Sequence, residues 1–227
     1  MAPPLSLSAE DHDRISKAVA AAEADSAGEI VTILAERSDG YTDVALSWAA
    51  LAAIATLAAL AVAPGAFLEP YAWLRGGWVS EWTIRDALLV ALVVTASEFL
   101  AVLLIQLWPP FKFWLVPPPI KSLRVRDQAV RAFRIGAERR THGRTGILIY
   151  LSIRERRAEI VADAAIAARV DPDVWADAMA AMLARVGQGH VTDGMIAAIE
   201  RVGAIVAEHF PRPADDQNEL PDRLIEV

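Results

Sequence analysis

The chain has 227 residues, 55% of them hydrophobic, and a mean hydropathy of +0.32. That apolar content excludes a disordered or fibrous chain, and that length excludes two large domains. The formal charge of -7 argues against a nucleic-acid partner, and the absence of Cys removes disulfides, thiolate nucleophiles, iron–sulfur clusters and Cys-type zinc sites.

The first 25 residues hold no long apolar stretch, so no secretory signal is expected there. Ser8 followed by Asp11 reads as a capping-box start, and Ile15, Ala18, Val19 and Ala22 then recur at helical spacing. Gly28 is expected to end that helix, and Glu29 to Leu34 to form a buried strand.

No charge follows Asp43 until Glu69. Val44 to Ala63 is almost pure Ala, Leu, Val and Ile, long enough to cross a hydrocarbon layer of about 30 Å. A second run from Ala87 to Trp108 is broken only by Glu98 and ends at Pro109-Pro110, read as a helix stop. Six of the seven Trp (48, 73, 78, 82, 108 and 114) lie in or beside these runs, as in an aromatic belt. A transmembrane hairpin over 44–109 follows, with spans at about 44–63 and 87–108. The segment 110–145 carries Lys112, Lys121, Arg124, Arg126, Arg131, Arg134, Arg139, Arg140 and Arg144, whereas the connecting loop has only Arg75 and Arg85. The positive-inside rule then puts both termini on the cytoplasmic side.

Residues 110–121 read as a stiff Pro-rich exit, with Pro117, Pro118 and Pro119 in succession. A basic helix is expected over 122–140, with Val125, Ala129, Ala132, Phe133 and Gly136 on one side. Strands follow over 147–153 and 158–162, joined by the polar turn Arg154 to Arg157. Asp171-Pro172 is an N-cap followed by Pro at the first helical position, and Val174, Trp175, Ala178, Met179, Met182, Leu183 and Val186 form an apolar stripe. A last helix is expected from about Thr192 to Phe210, with Met195, Ile199, Val202 and Val206 inward. The tail 212–227 reads as a loose end, with docking as an added strand the alternative.

One helix and one strand before the hairpin are not stable in water unpaired. The economical arrangement is therefore one α/β domain, a small sheet covered by helices, split into 1–43 and 122–211 by the hairpin. The element order together with Leu7-Ser8-Ala9-Glu10-Asp11, Gly28-Glu29-Ile30-Val31, Arg144-Thr145-Gly146-Ile147-Leu148-Ile149, Arg156-Arg157-Ala158-Glu159-Ile160 and Asp193-Gly194 resembles the TPM domain family. The inserted hairpin resembles a bacterial membrane branch of that family. Some TPM proteins are acid phosphatases and some bind divalent cations, so the resemblance implies metal-dependent phosphatase chemistry as one reading. The chain departs from the family's Asp-Asn-Gly loop with Arg144-Thr145-Gly146, and from its Gly-Tyr-Gly with Asp163-Ala164-Ala165.

A metal-dependent phosphatase needs clustered carboxylates to hold the cation and an activated water. Glu29, Glu155, Glu159 and Asp163 are the metal candidates, and Glu29, Glu159 and Asp163 the catalytic ones. Glu159 and Asp163 would share one strand face, roughly 13 Å apart. The four His form no HExxH pattern, and His12 and His209 are expected at the surface. Arg140, His142 and Arg144 form a basic loop suited to a phosphate or a lipid headgroup. Glu98, ionisable within a span, requires protonation, Gln106 as partner, or a contact with another subunit.

The expectation is an integral protein of a bacterial inner membrane, with the lipid bilayer and either a membrane-protein partner or a second copy as its contacts. It would present a TPM-like domain for assembly or maintenance of a membrane complex, without catalysis and without a cofactor. The alternative is a phosphatase at the membrane surface, using a divalent cation.

Overall fold

Seven consecutive buried residues, Glu29–Ala35, form strand β1 at the centre of the sheet. Helix α1, Ala9–Glu23, precedes it and starts at a complete capping box, in which Ser8 and Asp11 satisfy each other's backbone N–H groups. The computed structural model describes residues 7–74, 83–136, 145–213 and 220–227. Contacts divide the chain into one unit of Met1–Asp39 with Pro118–Val227 and another of Gly40–Pro117.

In the first unit, α6 (Pro118–Gly136) leads to β2 (Gly146–Ser152) and β3 (Arg157–Ala162). Then come α7 (Ala164–Ala167), α8 (Pro172–Val186), α9 (Val191–His209) and β4 (Ile225–Glu226). The sheet order is β3-β2-β1-β4. β1 runs parallel to β2, from Glu29↔Gly146 to Ala35↔Ser152, and parallel to β4, while β2 and β3 are antiparallel. The unit is thus a mixed α/β fold, a four-stranded mixed sheet flanked by helices.

Alternation along the strands sorts the core into two layers. Ile30, Leu34, Ile147, Ile149 and Leu151 pack with Ile15 and Val19 of α1, Met182 of α8, and Met195, Ile199, Val202 and Val206 of α9. Val31, Ile33, Leu148 and Tyr150 point the other way, onto Val125, Ala129 and Phe133 of α6. The two helices α1 and α9 meet so closely that a Cβ at Gly203 would stand 2.6 Å from the Ala22 Cβ, which only glycine avoids.

The second unit holds α2 (Thr42–Val62), α3 (Gly65–Leu74), α4 (Ile84–Ile105) and α5 (Pro109–Leu115). Thr83 and Asp86 form a capping box at the start of α4. The buried Tyr41 packs edge-on against Phe113 at 5.5 Å, and Trp48 Nε1 donates to the Leu115 carbonyl at 3.2 Å. Both α2 and α4 are long and apolar enough to cross a membrane, and only 22% and 6% of their most apolar stretches are buried within the protein.

Several sequence expectations are corrected. α1 ends at Glu23, before Gly28. The connecting segment contains helix α3, which carries Pro70. Pro109 and Pro110 open the short helix α5 instead of ending the chain's helical run, because proline suits the first turn, where no N–H is needed. For the same reason Pro118 and Pro119 begin α6, and 110–121 is largely helical. Val174 lies on the exposed side of α8, off the apolar stripe. The tail is no loose end in its last residues: Leu220 and Leu224 are buried, and β4 adds to β1.

Candidate functional site

The parallel pairing of β1 and β2 gives the sheet two chemically different ends. At the end where β1 and β2 begin stand Glu23, Glu29 and Asp163. Glu23 closes α1 on the same stripe as Ile15 and Val19, so it enters the core side of the helix. Its Oε1 accepts from the Ile30 N–H at 2.6 Å, while its buried Oε2 has no partner among the described residues. Burial pushes its pKa up to about 8, and the carboxylates of Glu29 and Asp222 push the same way, against the Ile30 hydrogen bond and Arg212. Glu23 is therefore largely protonated at neutral pH.

Glu29 is also buried, and its Oε2 accepts from the Leu220 N–H at 3.0 Å, tying the C-terminal segment to the start of β1. Asp163 N–H donates to the Gly146 carbonyl at 2.9 Å, so Asp163 lies beside the start of β2. β3 stops at Ala162, and the Asp163 carbonyl accepts from Ile166 and Ala167 as the N-cap of α7. Asp163 directly follows β3 with an extended backbone and stands where the chain passes into α7, so it lies at the strand's end and Glu159 within the strand.

Glu155 belongs to the opposite end, in the β2–β3 turn. Its carboxylate accepts from the Ser38 N–H at 3.0 Å and from the Ser152 hydroxyl, and the Ser38 hydroxyl meets the Tyr150 hydroxyl at 3.1 Å. Burial raises the Tyr150 pKa against the Ser38 hydrogen bond. Glu155 thus fastens β1's exit to the turn. Glu159 projects from β3 toward the α6 side, half-buried, and burial raises its pKa while Arg126 and Arg157 oppose the rise. The four metal candidates are distributed over both ends and one face of the sheet. Among the described residues, no three His, Asp or Glu side chains are placed to hold a metal ion.

Of the remaining candidates, Arg140, His142 and Arg144 lie outside the described residues. Glu98 accepts a hydrogen bond from the Thr56 hydroxyl of α2, within the same hairpin. Gln106, the partner expected from sequence, instead donates to the carbonyls of Ala45 and Val102. His12 approaches Glu226 Oε1 at 3.2 Å, as the Leu7 N–H does at 3.1 Å, so β4 is held to α1 as well as to β1.

Sequence reasoning missed Glu23 and the clamp around Glu155. Glu23 was visible as a carboxylate at i+4 from Val19 and i+8 from Ile15 on an apolar stripe. The Glu155 clamp joins Ser38 to a residue 117 positions away, which no local pattern signals.

No family model matches the chain, and no curated protein matches it. Among solved structures, the NMR structure of the BA42 protein from the psychrophilic bacterium Bizionia argentinensis is similar, with a TM-score of 0.57 at 19% identity over 100% of both chains. That likeness is one of fold alone.

Proposed function

We propose that the chain is an integral membrane protein that presents a TPM-like α/β domain on the cytoplasmic side of a bacterial inner membrane, for assembly or maintenance of a membrane complex and without catalysis of its own. The observation that carries this reading is the position of the apolar hairpin. It is inserted between β1 and α6, and β1 pairs along its full length with β2, beyond the insertion. The domain therefore forms only when both sides of the hairpin come together, and the hairpin is built into the sheet's connectivity. The large exposed apolar side chains of α2 and α4, among them Leu51, Ile54, Leu88 and Leu92, suit hydrocarbon as their solvent. The basic residues of 110–145 supply the orientation. The separation of Glu155 and Glu159 from Glu29 and Asp163 favours a binding role over metal chemistry shared among these four acids.

Isolation of the tagged full chain from native membranes in mild detergent tests this reading. The expected result is a stoichiometric membrane companion or a defined oligomer on a native gel. A solitary monomer would contradict it. Divalent-dependent hydrolysis of a model phosphoester, lost in Glu159→Ala or Asp163→Ala, would replace it with the phosphatase alternative.

A further inference from the structure

The end of the sheet opposite Glu29 is where the chain leaves for the hairpin and returns from it. Glu36 to Asp39 follow β1, Pro118 opens α6, and the Arg124 Nε to Asp39 ion pair at 3.1 Å brings the two junctions together. The β2–β3 turn joins them, since Ile153 N–H donates to the Ala35 carbonyl and Arg154 N–H to the Glu36 carbonyl, each at 3.0 Å. Most charges here are matched. Arg154 pairs with Glu36 at 2.7 Å, and Glu155 is held by Ser38 and Ser152.

Besides the exposed Arg37, three further cations are left over. α6 lies on the sheet face onto which Arg157 and Val161 of β3 alternate, and it runs back from this end, so Lys121 in its first turns stands over the turn that carries Arg156. Among the described residues, Lys121, Arg156 and Arg157 form no ion pair. Burial lowers the Lys121 pKa, and repulsion from Arg157 and Arg156 lowers it further against the attraction of Glu155. The neighbouring acid, Glu159, is half-buried, and burial raises its pKa while Arg126 and Arg157 oppose the rise. Arg156 also holds a left-handed backbone, φ 52°, where glycine would be the easier residue. Only five residues separate Lys121 from Leu115, the end of α5, in the sequence.

We propose that Lys121, Arg156 and Arg157 form a site for the phosphate-bearing headgroup of an anionic phospholipid in the membrane that holds the hairpin. Two guanidinium groups and one ammonium oppose the negative charge of a phosphodiester, and the guanidinium forks suit its two non-bridging oxygens. The inference rests on the membrane reading above.

The full chain, reconstituted in vesicles of equimolar phosphatidylcholine and phosphatidylglycerol, tests it through spin-labelled versions of each lipid. Flotation first reports whether the protein has incorporated, and failure to float would overturn the membrane reading and this inference together. In incorporated protein, the immobilised lipid fraction is expected to favour phosphatidylglycerol by about tenfold, less so at high salt. The triple variant K121Q/R156Q/R157Q should lose that preference. Arg156→Gly, which suits the left-handed backbone and keeps the fold, should reduce it several-fold. An unchanged preference in Arg156→Gly and in the triple variant, or none in the native chain, would overturn the site. Displacement of the lipid by inorganic phosphate at constant ionic strength would overturn the lipid assignment in favour of a free anion.

Discussion

Helices α9 and α4 are of similar length, yet they use their apolar residues in opposite ways. α9 buries nine of its residues along one face, with Glu200, Arg201 and Glu208 on the other. α4 buries only Val90, and its Leu88, Leu92, Val93, Leu100 and Leu104 stand exposed on the face turned away from α2. A one-sided stripe is what a helix needs when water covers its other face, and an apolar surface all round is what it needs when lipid does. Water around the first unit and lipid around the second is what the membrane proposal requires of this contrast.

The sharpest way to break that contrast is one substitution made in both helices. Ile199→Asp places a carboxylate where exposure is 0% and no cation waits, and should cost more than ~4 kcal/mol, enough to remove the protease-resistant α/β domain. Leu92→Asp, at a position 65% exposed, should leave that domain folded and instead weaken membrane retention, since a carboxylate at the centre of a span costs ~3 kcal/mol. Equal retention of the Leu92→Asp protein in the membrane fraction would mean that α4 does not lie in lipid.

A smaller effect is expected at the edge of the sheet. Leu224→Ala removes a buried anchor of β4 and should destabilise the domain by about 3 kcal/mol, read from denaturant unfolding of the detergent-solubilised chain. An unchanged midpoint would show that β4 contributes nothing to the water-facing core.

Glu23 sharpens the comparison through pH. Its folded pKa of about 8 lies above the ordinary 4.5, so the folded state holds this proton more tightly than the unfolded chain. The contribution is fully present below about pH 4.5 and is lost as pH rises through about 8. Stability should therefore fall between pH 5 and pH 8.5 by up to about 4 kcal/mol, and Glu23→Gln should flatten that slope. The same slope in the variant would remove Glu23 as its source.

The smallest effect belongs to the hairpin. Thr56→Val deletes the hydroxyl that serves Glu98 and should weaken α2–α4 association by about 1 kcal/mol, measured as thermal stability in detergent. No change would place the satisfaction of Glu98 outside this pair.

What was legible in the sequence was local or compositional. Ser8 and Asp11 marked a helix start because the capping box lies within four residues, and α2 and α4 stood out because twenty apolar residues in a row need no context. The strands around Ile30 and Ile149 were legible from their β-branched runs, and the inward faces of α6 and α9 from their period. What escaped depended on partners far along the chain. β4 is two residues long and exists because β1 offers an edge. That Asp163 both bonds the start of β2 and caps α7 depends on the pairing of β3 with β2. The proximity of Lys121 to Arg156 and Arg157 arises only once α6 lies over β3, because they stand far apart in sequence. Proline misled in a systematic way, since Pro109 and Pro118 each open a helix rather than close one.

The central claim is that the hairpin spans a bilayer, with the α/β domain on one side and the α3 segment on the other. The chain contains no Cys, so single cysteines can be labelled against a silent background. With a membrane-impermeant maleimide on intact cells, Glu69→Cys in α3 is predicted to react at once, and Asp13→Cys in α1 only after lysis. Equal reactivity of the two positions, in intact cells or only after lysis, would contradict the account.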